Sequence, residues 1–223
     1  MTSQIFVGML KAQVLVFVLS LCCLKASFAD GPVTDKAISD SSNTSEWLSY
    51  GRNHNEQRYS PLTKIDSKNV NQLAVEWYLD LPNDVGLVST PLVKDGVIYF
   101  IGTMNVVRSV DARTGQLLWS YDPKVAEEIG GRKQVGWAHN RGISMFGNNL
   151  FFATWDGRLI ALDIKTGKRK WSTRTFHIDE PLYITGAPKA FRGKVLIGNG
   201  GTENGRSSGR YCSAATRRPE RRG

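Results

Sequence analysis

Cysteine is scarce in the 223-residue sequence, and its placement excludes several classes of site. Cys22 and Cys23 lie in an apolar leader, and Cys212 lies near the C-terminus. Residues 30–205 contain no cysteine, so this stretch offers neither a disulfide framework nor thiolate ligands for a metal. The three histidines show no ligand spacing. We therefore expect no zinc site.

The middle of the chain also lacks an excess of charge of one sign. The net charge is +9, but six arginines and one acid fall within residues 206–223, and Lys11 and Lys25 lie in the leader. Residues 30–205 therefore carry only +2. A nucleic-acid-binding surface needs a clustered basic face, so we predict no nucleic-acid partner.

The apolar stretch Val14–Leu24 is too short for a membrane span, which takes ~20 residues. It follows Lys11 and precedes Ser27 and Ala29, the small residues expected at positions −3 and −1 of a cleavage site before Asp30. This pattern predicts a secretory signal peptide over residues 1–29, with an uncleaved membrane anchor as the alternative. With cleavage, we expect no stable insertion in the membrane.

The most informative feature that is present is an internal repeat. Residues 97–119 and 149–171 share the pattern D-x-x-T-G-x-x-x-W, and each matched pair lies 52 residues apart. The recurring residues are Asp111, Thr114, Gly115 and Trp119, matched by Asp163, Thr166, Gly167 and Trp171. Repeats of this length are typical of propeller blades or solenoid units.

Local chemistry favours propeller blades. Two β-rich runs, Leu150–Thr154 and Arg158–Leu162, flank Asp156-Gly157, which is a hairpin signal. In the turn that follows, aspartate can accept backbone N–H bonds and glycine can adopt a positive φ. No amphipathic helix is long enough for βαβ units. We predict an all-β fold of β-propeller blades, with the tryptophan wedged between neighbouring sheets.

The repeated motif, at this spacing, resembles the tryptophan-docking motif of quinoprotein alcohol dehydrogenases in the methanol/ethanol dehydrogenase family. Several other segments are similar to that family and occur in its order: Trp47–Arg52 with Glu56–Leu62, Ser89–Val93, Asn140–Gly142, Thr185–Pro188 and Gly198–Glu203. The resemblance implies an eight-bladed propeller that binds pyrroloquinoline quinone (PQQ) with calcium. It also implies a periplasmic enzyme that oxidises an alcohol and passes electrons to a cytochrome c or a quinone.

The resemblance assigns roles to particular residues. Arg141 would pair with a PQQ carboxylate or quinone oxygen, and Thr185 would donate a hydroxyl hydrogen bond. Gly200 and Gly201 would let the cofactor approach closely, with a further contact from Thr202. Glu203 would be a calcium ligand, since calcium prefers hard oxygen donors. On residue type alone, the same residues also fit a solvated loop arginine, an ordinary turn and a surface acid.

Two departures from the family pattern bear on the substrate. Val135 and Gly136 stand where many relatives carry adjacent cysteines over PQQ, and Val88 stands where a PQQ-contacting glutamate is usual. These differences resemble a subgroup without the cysteine pair, in which other alcohols are oxidised. Trp137 or His139 would then cover the cofactor.

The resulting organisation has four parts: a signal peptide over 1–29, a polar segment over 30–46, about three blades over 47–205, and an arginine-rich tail over 206–223. The tail has two interpretations, a basic interaction tail or an out-of-frame translation. A closed ring needs more blades than these. We therefore expect the family's catalytic aspartate beyond this chain, open sheet edges prone to aggregation, and little activity from the chain alone.

A second function stays open at this point. A non-enzymatic propeller scaffold, similar to the lipoprotein of the outer-membrane assembly machinery, shares such repeats without a cofactor. Arg141, Thr185 and Glu203 within their motifs favour the enzyme, because a scaffold has no need of a calcium acid beside a double glycine.

Overall fold

The structure, a computed structural model, describes residues 31–131 and 138–201, together with the backbone of residues 211–215. From Pro32 onward, these residues belong to one unit. The strands are β1 Leu92–Lys94, β2 Val97–Ile101, β3 Val107–Asp111, β4 Leu117–Tyr121, β5 Ser144–Phe146, β6 Asn149–Ala153, β7 Arg158–Asp163, β8 Arg169–Arg174, β9 Lys189–Phe191, β10 Lys194–Gly198 and β11 Tyr211–Ala215. The α-helices are α1 Asp35–Ser39 and α2 Val125–Ile129, and 3₁₀ turns occupy Val70–Gln72 and Thr103–Asn105. None of the described helices is long and apolar enough to cross a membrane.

The strands form three antiparallel meanders, which confirms the predicted propeller blades. Blade 1 has the order β1-β2-β3-β4, and blade 2 has the order β5-β6-β7-β8. Blade 3 has β9, β10 and β11, with β10 in the middle. Strand β11 lies within the stretch that the sequence analysis treated as a tail outside the blades.

The two complete blades match in detail. The third and fourth strands slip register between Ser109 and Val110 in blade 1, and between Ala161 and Leu162 in blade 2. The inner strands of blade 2 are almost wholly buried, whereas β8 is largely exposed. The first strands therefore lie inside and the fourth strands outside, as in propeller blades.

The core is a set of apolar layers between blades. Leu92, Ile101 and Val107 of blade 1 pack with Leu150, Phe152 and Ile160 of blade 2 in one buried cluster. A second cluster joins the other face of blade 2 to blade 3: Phe151, Ala153, Leu159, Ala161, Ile184, Val195 and Ile197. Alternate residues of β6 thus face opposite neighbours, as the period of a strand dictates.

Each D-x-x-T-G turn is closed by its aspartate. Asp111 Oδ1 accepts the backbone N–H of Arg113 at 2.9 Å and that of Thr114 at 2.8 Å. It also accepts the Thr114 hydroxyl at 3.0 Å. Gly115 then takes φ +73°. Asp163 and Gly167 repeat the arrangement, with φ +68° at the glycine.

The glycine of each of these two turns lies against a tryptophan from the preceding part of the chain. A Cβ on Gly167 would lie 2.6 Å from Cε3 of Trp119, so the indole of β4 rests directly on this glycine. This contact confirms the prediction that the motif tryptophan, here Trp119, packs between neighbouring sheets. Trp77, which lies outside the repeated motif, contacts Gly115 in the same way: a Cβ on Gly115 would lie 2.5 Å from Trp77 Cε3.

The turn aspartates should make the fold sensitive to acid. Hydrogen bonds from Thr114 lower the pKa of Asp111. Burial opposes ionisation of Asp163, but hydrogen bonds from Lys170 and Thr166 outweigh it and lower its pKa as well. An aspartate with a lowered pKa stabilises the folded state above its unfolded pKa of about 3.9, and this stabilisation is lost as the pH falls through the folded pKa.

We therefore expect the urea midpoint to be nearly constant between about pH 7 and 5 and to drop below about pH 4. In the double variant Asp111→Asn/Asp163→Asn the midpoint should be lower at neutral pH and the acid drop smaller. Tryptophan fluorescence across a pH series measures both. An unchanged acid drop in the double variant would show that other carboxyl groups control acid unfolding.

Candidate functional site

The meander topology places the predicted site residues at one end of the blades. In each blade the loop between the second and third strands and the loop leading to the next blade emerge at the same end, because successive strands are antiparallel. Arg141 and Thr185 lie in the loops before β5 and β9, and Gly200 and Gly201 follow β10. The D-x-x-T-G turns lie at the opposite end.

Arg141 and Thr185 are brought into direct contact. Arg141 Nη1 donates to Thr185 Oγ1 at 2.6 Å, and the Arg141 backbone N–H donates to the Thr185 carbonyl at 2.9 Å. The Arg141 carbonyl in turn accepts the Thr90 N–H at 2.9 Å. The loops that enter the three blades are therefore joined side by side through Thr90, Arg141 and Thr185.

Backbone hydrogen bonding fixes the orientation of this arginine, while its side chain stays exposed. The next residue, Gly142, packs tightly, because a Cβ there would lie 3.2 Å from Tyr50 and 3.3 Å from Ala187. Asn140 is buried, and its amide donates to the Ala153 carbonyl at 2.8 Å. Of the described carboxylates, none lies within ion-pair distance of Arg141. The guanidinium is thus held in place with donors available for an anionic ligand.

Gly200 and Gly201 are required by packing within the protein. A Cβ on Gly200 would lie 2.8 Å from the ring of Tyr183, and a Cβ on Gly201 would lie 2.3 Å from the Pro181 carbonyl. Gly201 also has φ +108°. Two backbone bonds, of 2.8 and 3.3 Å, join Gly200 to Tyr183. The double glycine therefore lets its own loop press against the loop that carries Thr185.

The sequence analysis missed three residues that organise this end. Asn105 is fully buried with φ +60°. Its side-chain amide donates to the Ala138 carbonyl at 2.8 Å, and its Oδ1 accepts the backbone N–H of Trp155 at 2.8 Å. The Trp155 ring stacks on Tyr183, with centroids 4.5 Å apart and planes at 10°. Blades 1, 2 and 3 are thereby connected through Asn105, Trp155 and Tyr183. Asparagine's tolerance of positive φ was a usable signal for the turn, but no local signal gives such long-range partners.

Several predicted positions fall outside the described residues. These are Thr202 and Glu203, together with Val135, Gly136 and Trp137. Val88 is described; it is exposed and precedes the Thr90 loop at the site end, where it supplies no carboxylate. His139 is half-buried beside Asn140. Among the residues that the structure describes, no group of three or more His, Cys, Asp or Glu side chains is placed to hold a metal ion.

Comparison with known proteins agrees with the geometry. Residues 47–179 match the family described as glucose/ethanol/alcohol dehydrogenase, beta-propeller domain, under the name PQQ. The quinohemoprotein alcohol dehydrogenase ADH IIB of Pseudomonas putida is 51% identical over 160 residues, covering 72% of this chain and 23% of that protein. A 1-butanol dehydrogenase (cytochrome c) of Thauera butanivorans is 42% identical over 161 residues, covering 72% of this chain and 23% of that protein.

A solved structure of quinohemoprotein alcohol dehydrogenase ADHIIG from Pseudomonas putida superposes with a TM-score of 0.77 at 41% identity. The match covers 84% of this chain and 28% of that structure. The chain thus spans about a quarter of the length of the relatives it matches. The family match over more than half of the chain, the blade architecture and the order of the motifs together show that this chain belongs to the PQQ-dependent alcohol dehydrogenase β-propeller family.

Proposed function

We propose that this chain forms part of a periplasmic alcohol dehydrogenase that uses PQQ and calcium. The observation that carries the proposal is the hydrogen-bonded pair of Arg141 and Thr185 at the site end of the blades. PQQ is a planar, tricarboxylated quinone, and a fixed guanidinium beside a hydroxyl suits such an anion. When bound, PQQ supplies two-electron oxidation chemistry, and calcium supplies a Lewis acid that polarises a quinone carbonyl.

The hydrogen bonding at Thr185 defines what its hydroxyl can offer. Because Oγ1 already accepts a bond from Arg141 Nη1 at 2.6 Å, the hydroxyl proton is free to point elsewhere, and a hydroxyl has one proton to donate. Arg141 and Thr185 can therefore donate together to oxygens of one carboxylate or quinone. Their backbone bond of 2.9 Å holds the two donors in register.

We assign the neighbouring loop to the cofactor and to calcium. The loop starting at Gly200 and Gly201 is tied to the Thr185 loop through Tyr183. Thr202 and Glu203 continue this loop in the sequence. We propose that Thr202 contacts PQQ and that Glu203 supplies a carboxylate to calcium, which binds through oxygen ligands. Val88 stands where the family usually has a PQQ-contacting glutamate. Because valine has no carboxylate, we propose that the residues contacting PQQ near the Thr90 loop differ from those usual in the family.

The redox partners are proposed by analogy with the relatives. Relatives named alcohol dehydrogenase (quinone) and 1-butanol dehydrogenase (cytochrome c) support an alcohol substrate with a quinone or cytochrome c as electron acceptor. We expect no turnover by the 223-residue chain alone, because none of its residues is assigned the family's catalytic aspartate. Binding, rather than activity, is therefore the property to test.

The test is titration of the purified chain with PQQ in the presence of calcium, followed by quenching of tryptophan fluorescence or by calorimetry. Arg141→Ala should weaken PQQ binding by about 10- to 150-fold, the effect of losing a hydrogen bond to a charged group of about 1.5–3 kcal/mol. Arg113→Ala is the matched control, since Arg113 is an exposed arginine in a turn at the opposite end of the blade. Equal PQQ affinity in the two variants would contradict the assignment of Arg141.

A further inference from the structure

The N-terminal loop, residues 47–58, contacts both blade 1 and blade 3. At its start, Trp47 and Val93 of β1 exchange two backbone hydrogen bonds of 2.9 Å. Near its end, Glu56 Oε1 lies 2.8 Å from Nζ of Lys189, the first residue of β9. Blade 2 packs between blades 1 and 3. The middle of the loop therefore reaches the residues that enter blade 2.

Tyr50, in the middle of this loop, packs against the backbone that carries Arg141. A Cβ on Gly142 would lie 3.2 Å from Tyr50 Cδ2, so the ring occupies the space where a side chain would stand at this position. Gly142 directly follows Arg141 and forms an isolated parallel bridge with Thr90. The Thr90 N–H donates to the Arg141 carbonyl at 2.9 Å. The tyrosine ring therefore borders the short backbone stretch whose hydrogen bonds orient Arg141.

The Tyr50 ring is itself held from within the loop. The Arg58 guanidinium lies over it, with Cζ 4.4 Å from the ring centroid, which is within cation–π distance. The Arg58 backbone N–H donates to the Gly51 carbonyl at 3.1 Å, and this bond closes the stretch of chain between the two residues. The tyrosine ring is therefore fixed by two contacts, one with its own loop and one with Gly142.

We propose that Tyr50 is a positioning residue for Arg141: its ring restrains the backbone at Gly142 and thereby fixes the direction of the Arg141 guanidinium. This role rests on the proposed binding of an anionic cofactor by Arg141. A donor that is fixed before its ligand arrives loses less conformational entropy on binding, so restraint of the arginine raises the affinity. The atoms that meet Gly142 and Arg58 belong to the ring. Phenylalanine should therefore serve as well as tyrosine at position 50.

The first test is titration of the purified chain with PQQ in the presence of calcium. Tyr50→Leu should weaken PQQ binding by about 10-fold, the lower end of what loss of an orienting partner costs at metal sites. Tyr50→Phe should bind PQQ as the wild type does. In an Arg141→Ala background, Tyr50→Leu should have no further effect on the affinity, because no guanidinium remains to be positioned. Wild-type affinity in Tyr50→Leu would overturn the proposal.

Two further variants control for effects on folding. Tyr59→Leu is the matched control, since Tyr59 is 69% exposed and its replacement should leave the affinity for PQQ unchanged. Arg58→Met removes the charge over the Tyr50 ring at an exposed residue. It should weaken PQQ binding by about 2- to 5-fold, the effect of losing an exposed cation–π contact, and this loss should also vanish in the Arg141→Ala background. Equal losses with and without Arg141 would show that Tyr50 and Arg58 act on the fold as a whole, which would overturn the proposal.

Amide hydrogen exchange in the free chain separates this role from the proposed function. The Thr90 N–H donates to the Arg141 carbonyl, and the Arg141 N–H donates to the Thr185 carbonyl. In Tyr50→Leu both amides should exchange several-fold faster, whereas the Gly167 amide, in a turn at the opposite end of the blades, should be unaffected. If the wild-type chain does not bind PQQ but these amides respond as expected, the proposed function fails and the positioning by Tyr50 stands. Unchanged exchange of both amides in Tyr50→Leu would overturn the positioning whether or not PQQ binds.

Discussion

Replacing Gly167 by alanine is expected to lower the free energy of unfolding by about 3–5 kcal/mol. Two effects add. Gly167 has φ +68°, a conformation that costs an L-residue roughly 1–2 kcal/mol. Its new Cβ would also lie 2.6 Å from Trp119 Cε3, so the indole must move away. Because Trp119 is only half-buried, we expect this to cost about 2–3 kcal/mol, less than the loss of a core tryptophan.

Gly96→Ala is the matched control for the backbone effect. Gly96 has φ +74°, but a Cβ there would meet no atom within 4 Å. Gly96→Ala should therefore lose only the backbone cost of about 1–2 kcal/mol. Urea unfolding at pH 7, followed by tryptophan fluorescence, gives both values. If Gly167→Ala lowered the free energy of unfolding no more than Gly96→Ala does, the contact between Trp119 and Gly167 would contribute nothing to the packing of blade 1 on blade 2.

A double variant isolates the contact between the two blades. In a Trp119→Ala background, Gly167→Ala has no indole to displace, so its effect should shrink to the backbone cost of about 1–2 kcal/mol. The coupling between the two substitutions measures the interaction between blade 1 and blade 2 at this point. If the losses of stability in the two single variants add up to the loss in the double variant, the destabilisation by Gly167→Ala arises in the backbone of the turn and not from the contact with Trp119.

The sequence predicted the blades well where the repeat was intact. The D-x-x-T-G turns carry their own hydrogen-bonding chemistry within five residues, so Asp111 and Asp163 were identifiable from local pattern. Trp77 was missed because no D-x-x-T-G turn precedes it and because it lies 42 residues before Trp119, not 52. Its equivalence depends on the contact with Gly115, which only the folded chain reveals.

The sequence predicted the candidate site only in part, because motifs identify individual residues but not the long-range contacts between them. The sequence order of motifs led to Arg141 and Thr185, and the structure places them 2.6 Å apart. Close approach of a cofactor was the expected reason for Gly200 and Gly201, but contacts with Tyr183 and Pro181 already require glycine at both positions. The roles of Asn105 and Trp155 depend on partners 33 and 50 residues away, and such pairings have no local signature.

Asp156 lies in a turn that the sequence predicted, but its burial as a charged residue was not predicted. The Asp156-Gly157 pair predicted a hairpin, and the hairpin forms, yet the Asp156 side chain is fully buried. Arg158 Nε donates to Asp156 Oδ2 at 2.6 Å, Nη2 donates to Oδ1 at 3.2 Å, and Nη2 also donates to the Pro123 carbonyl at 2.8 Å. The ion pair thus ties the blade 2 hairpin to the loop that leaves blade 1.

We expect Asp156→Asn to lower the free energy of unfolding by about 3–5 kcal/mol, because it removes the buried carboxylate that pairs with Arg158 and, at 3.5 Å, with Arg174, and leaves both arginines with only the exposed Glu128, among the described carboxylates, as a partner. Arg158 is only 6% exposed, and its remaining carboxylate, Glu128, lies 3.4 Å away and is itself 43% exposed. Asp122→Asn is the matched control. The Asp122–Lys124 pair has a similar separation of 3.1 Å, but its side chains are 44% and 58% exposed.

Exposed ion pairs contribute at most about 1 kcal/mol, so Asp122→Asn should change the urea midpoint little. The substituted amide in Asp156→Asn still accepts one hydrogen bond from Arg158, so a loss well above that of Asp122→Asn must come from the lost charge pairing with Arg158 and Arg174. Asp156→Asn/Arg158→Met removes both charges and should recover much of the stability, since buried ion pairs are often replaceable by apolar side chains. Failure of this double substitution to recover stability would assign the loss to the two other contacts that it removes, the Pro123 hydrogen bond and the ion pair between Arg174 and Asp156.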